Sequence, residues 1–184
     1  IGGITAVVLF FIALSNGLIW ELPSFEELEN PNSILATEIY TADLELLGKF
    51  YTENRTIVPF KDLPDTLVNA LVYTEDERYY NHSGIDIRRL IIAVAAGGTR
   101  GGASTITQQL SKLLYHQPVN SVVRRVQQKL MEWVIALQLE RQYTKNEIIA
   151  MYLNKFDFVH NAKGIESAAQ IYFDKPVEEL NIQE

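Results

Sequence analysis

A mainly α-helical domain, preceded by a membrane-spanning helix and a short β-hairpin, is the architecture this sequence predicts. Three observations carry it. The first twenty residues hold no charged side chain. The stretch around Ile39, Tyr40, Phe50 and Tyr51 favours strands. From Pro64 onward the apolar residues recur at helical spacing, punctuated by caps and glycines. A chain of 184 residues with 47% hydrophobic content suits one ordinary domain. A charged fraction of 21% excludes disorder, and the absence of cysteine excludes a disulfide scaffold or a thiolate metal site. A net charge of −7 argues against a general nucleic-acid binder.

Taken in order, Ile1 to Trp20 is long enough as a helix to cross a hydrocarbon core, since a residue rises about 1.5 Å and the core is roughly 30 Å thick. Val7 to Ile12 form its apolar centre, and Trp20 stands where indoles prefer the interface. A cleaved signal peptide would need a small-residue cleavage site, and none is found. Residues 21–62 read as an acidic linker with Pro23 and Pro31, followed by the hairpin of Ile34–Thr41 and Leu46–Thr52. Residues 63–184 form the helical body. Its first helix carries Leu67, Ala70, Leu71, Tyr73 and Thr74 in a helical repeat. The second spans Ile85 to Ala96, whose apolar residues either dip into the membrane interface or cover a ligand, or, for most of them, pack in the core. The third runs from Ser104 to Tyr115, capped by Ser104 or Thr105. The fourth runs from Val119 to Gln142, capped by Asn120 or Ser121. Thr144-x-x-Glu147 is a capping box that opens a fifth helix reaching Asn154. Ile165 to Tyr172 is the last.

Charge is unevenly distributed along this body. Between Ser83 and Met131 stand Arg88, Arg89, Arg100, Lys112, Arg124, Arg125 and Lys129 against the single acid Asp86, a net of +6 that leaves −13 for the rest. A basic middle in an acidic chain points to a local anion site, although a solvated helix face would have the same composition.

Three stretches look chemical. In Glu75-Asp76-Glu77-Arg78-Tyr79-Tyr80-Asn81-His82-Ser83-Gly84, Glu75 sits where an apolar helix face ends, and partial desolvation there suits a general base. A solvated helix end with a histidine in a turn fits the same residues. The run Gly97 to Lys112 brings four glycines to a helix start rich in hydroxyl and amide side chains. Free N–H groups there can bind phosphate oxygens, yet the P-loop pattern is absent. Further on, Arg124, Gln128 and Glu132 follow at i, i+4 and i+8 with Lys129 beside them. They form either surface ion pairs or the wall of a charged cleft.

Together these segments resemble the peptidoglycan glycosyltransferase domain of class A penicillin-binding proteins and the related monofunctional transglycosylases, over Leu63 to Glu184 plus the N-terminal anchor. Five motifs stand in order. Glu75-Asp76-x-x-Tyr79-x-x-His82-x-Gly84 is similar to the first, with Tyr79 where the family usually has Phe. Gly102-Ala103-Ser104-Thr105-Ile106-Thr107-Gln108-Gln109-x-x-Lys112 resembles the second. Gln128-Lys129-x-x-Glu132 resembles the third, with Gln128 in place of Arg. Lys145-x-x-Ile148-Ile149-x-x-Tyr152-Leu153-Asn154 resembles the fourth, with Ala150 where Glu is usual. Gly164-Ile165-Glu166-Ser167-Ala168-Ala169-x-x-Tyr172-Phe173-x-Lys175 resembles the fifth.

The resemblance implies a lysozyme-like helical fold, incomplete at its C-terminal end, and polymerisation of lipid II into glycan strands. Configuration would invert at the anomeric carbon and lipid pyrophosphate would be released. It implies Glu75 as the base on the acceptor hydroxyl and Glu132 as a second catalytic carboxylate near the pyrophosphate. Lys112, Arg124 and Lys129 would counter the leaving group. Asp76, His82, Gly84, Ser104, Thr105, Gln108 and Gln109 would bind substrate. With Gln128 in place of Arg, Arg124 or Arg125 is expected to compensate. No cofactor is required, but a magnesium or manganese ion at the pyrophosphate near Glu132 is compatible with the family. The partners implied are lipid II, the growing glycan, membrane lipid and a transpeptidase domain; nucleic acid is not among them. No Ser-x-x-Lys of an acylating serine occurs here. The location implied is the bacterial inner membrane, single-pass, with the catalytic domain outside the cytoplasm. Competing readings are a lysozyme-like lytic transglycosylase, against which the basic cluster argues, and a non-catalytic scaffold.

Overall fold

The computed structural model describes residues 37–43, 46–50, 56–96, 104–115, 121–160 and 162–184. The expected span of Ile1 to Trp20, the linker after it and the glycine-rich run before Ser104 lie outside these residues. Among the described residues no helix is long and apolar enough to cross a membrane.

Strands β1 (Thr37–Tyr40) and β2 (Leu46–Phe50) pair antiparallel, Thr37 opposite Phe50 and Ile39 opposite Gly48, with an irregularity between Ile39 and Tyr40. Six helices follow: α1 (Asp65–Glu75), α2 (Ile87–Ala95), α3 (Ile106–Leu114), α4 (Val122–Gln142), α5 (Lys145–Lys155) and α6 (Ile165–Phe173). Single 3-10 turns lie at Phe60–Asp62, Tyr79–Asn81 and Val177–Glu179.

Local chemistry sets the helix starts. Thr105 Oγ1 accepts from Gln108 N at 3.1 Å while the Gln108 side chain reaches back to Thr105 N, which starts α3 at Ile106. Thr144 and Glu147 do the same for α5, and Ser121 caps α4 through Arg124 N. Asp86 Oδ1 accepts from Arg89 N at 2.9 Å in the same way at the start of α2.

The core lies where α3 packs against both α4 and α5. Ile106, Leu110, Ile135, Leu139, Ile148 and Ile149 are completely buried there. Helix α1 buries Val68 and Val72, flanked by the half-buried Leu67 and Leu71. Ala70 and Tyr73, expected on the buried face, are exposed because at 3.6 residues per turn the 67–68–71–72 stripe puts them on the far side, and Thr74, at the edge of that stripe, is exposed as well. Helix α2 corrects the expectation of core packing more strongly: Ile87, Ile91 and Ile92 lie in solvent.

Several motif residues serve the scaffold. Tyr79 is fully buried. Its hydroxyl, absent from the usual Phe, donates to the Lys145 carbonyl at 2.9 Å, and the Lys145 ammonium lies 4.2 Å from its ring centroid. The Asn154 amide brackets Val58, accepting from its N–H at 2.9 Å and donating to its carbonyl at 2.8 Å. Gly164 has φ +80°, and a Cβ there would lie 2.8 Å from the Asn154 carbonyl oxygen. Glu166 accepts from Val177 N at 3.0 Å and so ties α6 to the last 3-10 turn.

Candidate active site

A cavity of about 640 Å³ opens where α3, α4 and α5 meet. Its walls are Ser104, Gln108, Gln109, Lys112 and Leu113, then Arg125, Gln128, Lys129 and Glu132 on α4, then Tyr152 and Phe156. The Thr105 cap fixes the rotation of α3, so that Ile106 and Leu110 enter the core while Gln108, Gln109 and Lys112 turn to the cavity.

Glu132 is almost fully buried on the cavity wall. A carboxylate withdrawn from water needs hydrogen-bonded partners. Lys129 Nζ supplies one at 2.9 Å from Oε2, and Gln128 Nε2 supplies another at 3.2 Å from Oε1. Lys129 Nζ also donates to Ser104 Oγ at 2.9 Å, joining α4 to the start of α3. The expected Arg at position 128 is thus replaced by a neutral amide that still reaches the carboxylate.

Glu75, the last residue of α1, meets the cavity at Gln109. Gln109 Nε2 donates to Glu75 Oε2 at 2.7 Å, and Tyr152 Oη donates to Gln109 Oε1 at 3.1 Å. Burial, and then the Glu75 charge, push the Tyr152 phenol up to about 12, so it stays a protonated donor at neutral pH. Arg89 Nη1 donates to the Glu75 carbonyl at 2.8 Å, fixing the helix end.

Beside this open site lies a sealed knot. Asp76 is completely buried; its Oδ2 accepts from Ile106 N at 3.2 Å. His82 Nε2 lies 3.1 and 3.0 Å from its two oxygens, and Arg89 Nη1 lies 3.6 Å from Oδ1. Asp86 pairs with the Arg78 guanidinium through both oxygens, Nε to Oδ2 at 2.9 Å. Burial pushes the Asp86 carboxyl up, but the Arg89 N–H and the Arg78 guanidinium outweigh it and hold it below its ordinary 3.8. Gly84, at φ +82°, packs on α4: a Cβ would sit 3.0 Å from the Ala136 carbonyl oxygen. Its own carbonyl accepts from Thr105 Oγ1 at 2.6 Å.

Of the residues expected at the site, the structure brings Glu132, Ser104, Gln108, Gln109, Lys112 and Lys129 into one cavity and attaches Glu75 to it. Asp76, Gly84 and Thr105, expected to bind substrate, hydrogen-bond to the scaffold, and His82 does so through Nε2 while its buried Nδ1 has no hydrogen-bond partner among the described residues. Arg124 is exposed and off the cavity wall, whereas Arg125 is on it. The reason is helical phase: eight residues carry Arg124 about 80° round from Glu132, and seven carry Arg125 only about 20°. Sequence reasoning missed Leu113, Tyr152 and Phe156 as walls. Tyr152 had a signal in the fourth motif; Leu113 and Phe156 had none beyond being apolar.

The donors do not suit a protein-held metal at Glu132. Both of its oxygens already accept hydrogen bonds, one from an ammonium. Among the described residues, three ligands converge at Asp76, His82 and Asp86, and there Arg78 and Arg89 already sit on the carboxylates.

Compared with known proteins, residues 43–184 match the model of the family described as Transglycosylase. The chain is 37% identical to penicillin-binding protein 1A of Pseudomonas aeruginosa over 185 residues, covering 98% of this chain and 22% of that protein. It is 39% identical to penicillin-binding protein 1A of Haemophilus influenzae over 151 residues, covering 80% and 17%. It is 35% identical to penicillin-binding protein 1A of Escherichia coli over 168 residues, covering 89% and 19%. The chain therefore spans about a fifth of the length of the curated relatives it matches.

Proposed function

We propose that this chain, which belongs to the transglycosylase family, is a membrane-anchored peptidoglycan glycosyltransferase that polymerises lipid II into glycan strands. One observation carries the reading: a single cavity gathers Lys112, Arg125 and Lys129 around Glu132, while Glu75 is hydrogen-bonded to the wall residue Gln109.

In the proposed reaction Glu75 takes the proton from the sugar 4-hydroxyl of the acceptor lipid II. The freed oxygen attacks the anomeric carbon of the growing chain from the face opposite the leaving group, so configuration inverts. Lipid pyrophosphate departs with the bonding electrons, and its charge develops beside the three cations. The scheme parallels an inverting glycosidase with a sugar hydroxyl in place of water. A pyrophosphate leaves well, so no strong acid is needed opposite the base. Glu132 holds Lys129 in place between itself and Ser104.

The membrane part of the proposal is supported by α2. Ile87, Ile91 and Ile92 share one face and are 67, 63 and 49% exposed, an apolar stripe suited to lipid at a site whose substrates are lipid-linked. With Ile1 to Trp20 as the anchor, the proposed location is the bacterial inner membrane, catalytic side outward, with a transpeptidase domain as a partner in the whole protein.

The test is polymerisation of lipid II by the full-length protein. Glu75→Gln should lower the rate about a thousandfold, inside the range for loss of a general base, with the melting temperature unchanged. Polymerisation surviving that change removes Glu75 as the base. Cleavage of finished glycan without polymerisation assigns the chain to lytic chemistry instead.

A further inference from the structure

We propose that Tyr152 is a positioning residue for the base: by donating its hydroxyl to Gln109 Oε1 it backs the amide orientation in which the NH₂, not the oxygen, meets Glu75. The inference rests on Glu75 being the base and adds what sets its hydrogen bonding.

An amide side chain has a donor end and an acceptor end, and a half-turn exchanges them. An ionised carboxylate can only accept. Gln109 can therefore serve an ionised Glu75 in one orientation, Nε2 toward the carboxylate, and in that orientation Oε1 needs a donor of its own. Tyr152 supplies it. The bonds run in one direction, from Tyr152 Oη to Gln109 Oε1 at 3.1 Å and from Gln109 Nε2 to Glu75 Oε2 at 2.7 Å. Burial and the nearby carboxylate keep the phenol protonated, so it is available as the donor that Oε1 needs in this orientation. Tyr152 is itself held: only 4% exposed, it stacks at 5.4 Å on Phe156 and stands on α5, whose start is fixed by the Thr144 cap.

The other groups around Glu75 do not duplicate this role. Arg89, from α2, is engaged by the Glu75 carbonyl oxygen and by Asp76. Asp76, next in the chain, is turned into the knot with His82 and Ile106 N. In Tyr152→Phe the ring and its packing remain, but Oε1 loses its donor and the amide is held less firmly with its NH₂ toward Glu75. The flipped amide presents an oxygen to Glu75, a pairing favourable only when Glu75 carries a proton.

The experiment is lipid II polymerisation by the full-length protein, wild type and Tyr152→Phe, across pH, with the Gln109 side-chain amide followed by nitrogen-edited NMR. The variant should melt within a few degrees of wild type and keep its KM for lipid II within about twofold. Its kcat should fall about tenfold, the scale of one hydrogen bond to a charged group, and its acid-side loss of activity should move up by about one pH unit. In a Gln109→Ala background the same change should add no further pH shift. A Tyr152→Phe enzyme with wild-type kcat and acid limb overturns the proposal, as does an effect confined to KM, which would make Tyr152 a substrate contact. If the wild type does not polymerise, the functional reading is lost while the orientation is still decided by NMR. A Gln109 amide signal that shifts and exchanges faster in Tyr152→Phe supports the positioning role, and an unchanged signal rejects it.

Discussion

Two neighbouring acids, Glu75 and Asp76, lead into regions of opposite character. Asp76 turns inward to a sealed knot, where every oxygen is met by a histidine, an arginine or the N–H of Ile106. Glu75 turns toward a cavity of about 640 Å³, walled by cations and held by a single amide. The carboxylates of the knot are already partnered, whereas the cavity has room for a ligand. Membership of the same motif thus says that a residue is needed, not whether the substrate or the scaffold needs it. The knot has a task nonetheless: by holding Ile106 N, Asp76 fixes the start of the helix that carries Gln109 and Lys112.

The sharpest way to break this contrast is Asp76→Ala. It removes a completely buried carboxylate, leaving His82 Nε2 and Ile106 N without their acceptor and Arg89 with only the Glu75 carbonyl. Loss of one partner of a buried charged network costs about 3 kcal/mol or more. The expected outcome is a large fall in the midpoint of chemical denaturation, with activity lost in proportion to unfolding. A variant of full stability that fails only to bind lipid II would return Asp76 to the substrate site.

A smaller effect separates two adjacent arginines on α4. Arg125→Ala should weaken use of the pyrophosphate-bearing donor about tenfold, or roughly 1.4 kcal/mol, and Arg124→Ala should change it less than twofold. Steady-state polymerisation at varied lipid II checks this directly. Equal effects would mean that position on the cavity wall does not decide which guanidinium meets the anion.

That pair also marks how far the sequence reached. The start of α5 was legible because Thr144 with Glu147 is local, four-residue chemistry; for α3 the sequence left Ser104 or Thr105 open, and Gln108 reaching back to Thr105 decides it. Lys129 and Glu132 were legible because three residues on one helix fix their contact. Arg124 was preferred to Arg125 by counting in fours; the drift of a 3.6-residue helix over eight positions undoes that count. Tyr152 and Phe156 were out of reach as cavity walls, since they meet α3 and α4 only through packing of α5. The isoleucines of α2 admit two readings in the sequence, core or exposed apolar face, because an apolar stripe does not say what covers it; the structure exposes Ile87, Ile91 and Ile92.

The smallest expected effect asks whether the knot is held by charge or by shape. Asp86 has its carboxyl held below the ordinary 3.8, burial opposing and the Arg89 N–H and Arg78 guanidinium prevailing. A depressed folded value means that the ionised form is bound more tightly in the native state than in the unfolded chain. The stabilisation is therefore complete above the unfolded value of 3.8 and drains away as pH falls through the lower, folded value. Asp86→Asn keeps the shape and one acceptor for Arg89 N while removing the charge opposite Arg78. Wild type should thus melt above Asp86→Asn near neutral pH, and the gap should narrow steadily as pH drops below about 4. Melting curves of the two proteins at matched salt decide it. A gap that stays constant down to about pH 2 would mean that geometry alone holds the start of α2 to the turn at Arg78, with no contribution from the ion pair.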